Sequence, residues 1–105
     1  MSVIHLTQDN FQQEVYNTTD TVLIDFWASW CNPCRMLGPV IEQIANEAPA
    51  GVKICKCDVD ANPALAMEFQ VMSIPMLVVI KDGKQVASSV GVIPKQAILD
   101  LIARA

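Results

Sequence analysis

Between Val22 and Ala28 the chain reads Val-Leu-Ile-Asp-Phe-Trp-Ala, six apolar residues around one carboxylate. A run of branched and aromatic side chains without alternation is the pattern of a strand buried on both faces, which belongs in a parallel sheet covered by helices on either side. That segment points to an α/β architecture, and its neighbours agree. Val3 to Leu6 reads as a short strand; Thr7 then reads as a helix N-cap, with Phe11, Val15 and Tyr16 at near-helical spacing. Beyond Cys34, the residues Met36, Leu37, Val40, Ile41, Ile44 and Ala45 recur along a long amphipathic helix, which Pro39 should kink. Gly51 opens a strand running from Val52 to Val59, and Asn62-Pro63 starts a short helix carrying Leu65, Ala66 and Phe69. Met76 to Ile80 and Gln85 to Val90 pair around the turn Lys81-Asp82-Gly83-Lys84, and Pro94 opens a last helix with Ala97, Ile98, Leu101 and Ile102 inward. The order β-α-β-α-β-α-β-β-α predicts an α/β sandwich around a mixed sheet.

The strand ends at Ser29-Trp30-Cys31-Asn32-Pro33-Cys34, so two thiols stand three positions apart where the long helix begins. Such a pair can close a disulfide ring and reopen it, which makes it an electron-pair carrier. Pro33 suits a first helical turn and puts Cys31 at the helix start, where free backbone N–H groups and the helix dipole favour a thiolate. The Cys31 thiol should therefore fall from the ordinary value of about 8.5 toward neutrality, with Cys34, one turn deeper, as the resolving thiol. Trp30 beside Cys31 is an exposed aromatic suited to excluding water from a docked substrate. Two other readings of these cysteines are a core pair without chemistry and, with Cys55 and Cys57, a four-thiolate metal site. Cys55 and Cys57 alternate along a strand and face one side, opposite Lys56, which favours a packing role and no metal.

Asp25 sits in the middle of the apolar strand, where burial would raise its pKa and make it a proton relay for Cys34 with Lys56 as partner. A strand register that exposes it, or a capping role, is the alternative. Ile74-Pro75-Met76 precedes an apolar strand, so Pro75 marks a plain strand start, an edge, a bulge or a cis bond.

Composition limits the remaining classes. The 105 residues make one expected domain, 1–105, large enough for a core of its own. Hydrophobic residues at 52% against 17% charged ones argue against disorder. A net charge of −4 without a Lys/Arg cluster argues against nucleic acid or an anionic membrane as partner. The longest apolar runs are too short to cross a bilayer, and with Arg35 as the first Lys or Arg no secretory leader is expected. The expected location is the cytoplasm, where disulfides are mostly transient and catalytic.

The runs F-W-A-S-W-C-N-P-C-R, K-C-D-V-D-A-N-P, V-M-S-I-P-M, K-D-G and V-G resemble the thioredoxin family in order and spacing over essentially the whole chain. The resemblance implies a mixed five-stranded sheet flanked by four helices and a monomeric general protein disulfide reductase. That protein would act on disulfide-containing proteins, carry no cofactor, and be recharged by a thioredoxin reductase dependent on NADPH or ferredoxin. It implies Cys31 as attacking and Cys34 as resolving thiol, Asp25 and Lys56 as a buried acid–lysine pair, and Pro75 as a cis-proline facing the disulfide. Trp27 and Trp30 match the tryptophans of the active-site region, while Val59, Ile74, Met76, Val90 and Gly91 match positions around the substrate groove. The chain departs from the family in four places. Asn32 replaces a glycine between the thiols, Met76 replaces a threonine, Met72 stands where a polar or basic residue is common, and Cys55 with Cys57 has no family counterpart. Asn32 and Pro33 tune the redox poise, and the retained Pro33 favours a reductant. A non-catalytic binding module built on the same groove is the reading from another class; the presence of both thiols favours catalysis.

Overall fold

The computed structural model describes residues 2–105. Five strands, β1 (Ile4–His5), β2 (Thr21–Trp27), β3 (Val52–Asp58), β4 (Met76–Lys81) and β5 (Lys84–Val90), form one sheet in the order β1-β3-β2-β4-β5. The first three strands are parallel, and β4 and β5 run antiparallel to their neighbours. The mixed sheet is the expected one, with β2 at its centre and buried along almost all its length. Three α-helices, α1 (Asn32–Glu47), α2 (Pro63–Glu68) and α3 (Lys95–Ile102), and one π-helical segment (Gln12–Tyr16) flank it.

The pleat of β2 divides the core in two. Leu23, with Ile54, Leu77 and Val79, packs under Leu37 and Ile41 of α1 and Ile98 of α3. Val22, Ile24 and Phe26, with Cys55, Cys57 and Val78, pack under Phe11 and Val15 and under Leu65 of α2. Asp25 shares the pleat side of Leu23 and so belongs to the α1 side of the sheet. The other layer is held by edge-on aromatic contacts, Phe11 to Phe69 at 5.7 Å and Phe11 to Tyr16 at 5.3 Å between ring centres.

Local chemistry explains most boundaries. Asp82 and Gly83 both take positive φ, 52° and 76°, which is the two-residue turn that Asp-Gly favours because its twist matches the strands it joins. Thr7 does cap a turn: its Oγ1 accepts from the Asn10 N–H at 3.3 Å while the Asn10 Oδ1 accepts from the Thr7 N–H at 2.8 Å. The segment beyond it winds as a π-helix rather than the expected α-helix, closed by the Asn17 N–H on the Gln12 carbonyl at 2.9 Å. Met36 was expected on the inner face of α1 but is 69% exposed. At 3.6 residues per turn the stripe of Cys34, Leu37, Ile41, Ile44 and Ala45 already fills the buried face and leaves Met36 outside. α2 ends in Gln70 at φ 54°, with the Val71 N–H on the Ala66 carbonyl at 2.9 Å and the Gln70 N–H on the Met67 carbonyl at 3.0 Å. This left-handed cap fixes the direction in which the chain leaves toward Met72 and Pro75.

Candidate active site

Cys31 is the N-cap of α1, in extended conformation, and Cys34 lies in its first turn with Pro33 between them. The two are joined as a disulfide with Cα atoms 5.2 Å apart. The Cys34 backbone N–H points at the Cys31 Sγ from 3.2 Å. A reduced Cys31 at this place would find a hydrogen-bond donor and the positive end of a sixteen-residue helix already aimed at its sulfur, both of which favour the thiolate. Cys34, at 2% exposed, is the less exposed residue as expected, but Cys31 is only slightly more open at 4%. The reason is the cover over Cys31: its Sγ lies 3.9 Å from the Ile74 carbonyl oxygen, and Ile74, Val59 and Trp27 pack around the pair.

Ile74-Pro75 is a cis peptide bond, and Pro75 is buried immediately before β4. The Gly91 N–H donates to the Pro75 carbonyl at 2.8 Å, and Met76 pairs with Val90 across the hairpin, which gathers Met76, Val90 and Gly91 at this corner. The shallow recess at the disulfide is lined by Trp30, Asn32, Pro33, Met72, Ser73 and Ile74. Val59 packs against the disulfide, its N–H donating to the Trp27 carbonyl at 2.9 Å. Trp30 is 67% exposed, and its indole N–H donates to the Asp60 carboxylate at 2.7 Å. Sequence reasoning missed Asp60 and Ser73. Asp60 lies thirty residues from Trp30, in a loop whose Asp58 carboxylate accepts from the Asp60 and Ala61 N–H groups, and nothing in its spacing signals an indole partner.

Asp25 is fully buried, and neither its carboxylate oxygens nor the Trp27 indole N–H has a hydrogen-bond partner among the described residues. Burial pushes its pKa up to about 6, and the nearby Lys56 ammonium opposes the rise. Asp25 and Lys56 are register partners on the parallel strands β2 and β3. They do not form an ion pair. The Lys56 ammonium instead lies 4.2 Å over the Trp27 ring centre, a cation–π contact beside Gly38 of α1. Acid and lysine are thus neighbours coupled through space, with the indole beside them.

Cys55 and Cys57 are fully buried in the opposite layer, so the four thiols do not converge on one point. Burial pushes the Cys55 thiol up to about 12 and the Cys57 thiol up to about 11, which keeps both protonated and inert.

The pair Cys31–Cys34 therefore combines a helix-start sulfur, a buried acid on the same side of the sheet and a shallow open recess. Comparison with known proteins agrees with that chemistry. Residues 2–104 match the thioredoxin family. The chain is 44% identical over 98 residues to the thioredoxin of Pyropia yezoensis, covering 93% of this chain and 92% of that one. It is 49% identical over 92 residues to that of Chlorobaculum thiosulfatiphilum, covering 88% and 85%. It is 42% identical over 102 residues to that of Staphylococcus saprophyticus, covering 97% and 96%. This chain, a thiol–disulfide oxidoreductase, belongs to the thioredoxin family.

Proposed function

We propose that Cys31 is the attacking thiol and Cys34 the resolving thiol of a general protein disulfide reductase. The observation that carries the assignment is the Cys31 sulfur at the cap of α1 with the Cys34 N–H directed at it. The Cys31 thiolate attacks one sulfur of a substrate disulfide, forming a mixed disulfide and releasing the first substrate thiolate, which takes a proton from water. Cys34 gives its proton to Asp25, and its sulfur attacks the Cys31 Sγ, breaking the mixed disulfide and releasing the second substrate thiolate. Two electrons have passed to the substrate, and the Cys31–Cys34 disulfide remains. A reductase partner returns two electrons, which restore the Cys31 thiolate and, with one proton, the Cys34 thiol; in our reading it is a thioredoxin reductase using NADPH or ferredoxin.

Asp25 suits the relay because a carboxyl with a pKa of about 6 is exchangeable near neutral pH. Lys56 tunes that acid from its place over Trp27. Trp30, Val59, Ile74, Pro75, Met76, Val90 and Gly91 form the substrate surface, and Asn32 and Pro33 set the poise between the thiols. The protein works as a cytoplasmic monomer of one domain without a cofactor. No helix among the described residues is long and apolar enough to cross a membrane.

Equilibrium titration against glutathione tests the direction of electron flow. The dithiol should be clearly more reducing than that of a disulfide isomerase, whose potential lies near about −180 mV. A value at the isomerase level would mean that Asn32 has turned the protein into an oxidant of thiols, and would overturn the reductase reading.

A further inference from the structure

Met72 borders the recess beside Cys31. Met72 is 92% exposed and also lines a second, contiguous recess with Ala66, Met67, Gln70 and Val71. Met67, on the outer face of α2, is 78% exposed. No charged residue lines either recess, so an uncharged track runs from the reacting sulfur over one methionine to another. The floor of the second recess is preformed, since the left-handed cap at Gln70 ties Val71 to Ala66 of α2. Thioether side chains on such a floor re-pack around apolar groups of different shape.

A substrate must bring a sulfur to Cys31 and therefore fills the first recess. A segment leaving it across Met72 meets the second. We propose that Met67 and Met72 form an anchor for one apolar side chain of the disulfide-bearing protein substrate, a few residues from the cysteine under attack. The site would favour substrates with leucine, methionine or phenylalanine there over those with small polar or charged residues. This rests on Cys31 being the attacking thiol, and it adds a specificity element carried by α2 and the loop before Pro75.

The test uses the reduced full chain and single-cysteine peptides joined to 5-thio-2-nitrobenzoate. Attack by Cys31 on the peptide sulfur releases the coloured thiolate. In a serine background, one leucine is walked from about two to about six residues from the cysteine on either side, the reach of an extended chain at about 3.3 Å a residue. At one offset the leucine should raise the second-order rate constant about tenfold over the all-serine peptide, the scale expected for partly burying such a side chain. In Met67→Ser that advantage should shrink to about twofold or less, and in Met67→Ser with Met72→Ser it should vanish. No leucine advantage at any offset, or one that survives both substitutions, would overturn the anchor. A wild-type dimer that Met67→Ser disperses on sedimentation would assign the recess to a second copy of the chain and overturn it too. If even the all-serine peptide releases no thiolate from wild type, the attacking role of Cys31 itself fails, and the anchor falls with it.

Discussion

Cys31→Ser is expected to bring reduction of insulin disulfides down to background, a loss of more than about a hundredfold, because the serine hydroxyl stays protonated where the thiol would ionise. Cys34→Ser should behave differently. Its Cys31 still sits at the cap of α1 and still attacks, but nothing resolves the product, so the protein accumulates as a mixed disulfide with its substrate, visible by mass spectrometry and reversed by dithiothreitol. The contrast follows from position. One sulfur receives the N–H of the helix start, and the other lies a turn inside the helix. Insulin reduction by Cys31→Ser at the wild-type rate would remove the assignment.

Asp25→Ala should slow one step and stabilise the fold. A carboxyl with a higher pKa in the fold than in the unfolded chain holds its proton more tightly when native. For Asp25 the shift is from 3.8 to about 6, so its favourable contribution is complete below about pH 4 and is lost as the pH rises through about 6. At about pH 8 the buried, unpartnered carboxylate costs about 3 kcal/mol, at 1.36 kcal/mol for each pKa unit. Denaturation at that pH should show the alanine variant about 1–4 kcal/mol more stable than wild type, with the gain fading toward pH 4. Release of substrate from the mixed disulfide should slow by about a hundredfold, the scale of a lost general base. A variant no more stable than wild type at alkaline pH would mean that Asp25 is solvated or fully paired.

The sequence made the central strand legible because burial on both faces leaves no polar alternation from Val22 to Ala28. The same holds for the helix start at Pro33 and the Asp82-Gly83 turn, where the local chemistry admits few conformations. Pro75 was less legible, since a proline before a strand is compatible with several backbones and the cis bond depends on the packing around it. Asp25 stood out as a lone acid in an apolar strand, and its match with Lys56 as a pair came from the family resemblance. What spacing could not reveal is the indole of Trp27 taking the ammonium that a simple pairing would give to the carboxylate. Asp60 under Trp30 and the shared position of Met72 between two recesses are likewise contacts across the fold, without a local signature. Met36 failed for another reason: helical spacing defines a stripe, and only the neighbouring elements decide how wide the buried part is.

The central claim is that the start of α1 singles out one of four thiols as the nucleophile. Reduced protein should be treated with substoichiometric iodoacetamide at neutral pH and the labelled cysteine mapped. The label should fall on Cys31, with Cys34 slower and Cys55 and Cys57 untouched, since burial holds those two thiols near 12 and 11. Equal labelling of Cys31 and Cys34, or a preference for Cys34, would contradict it.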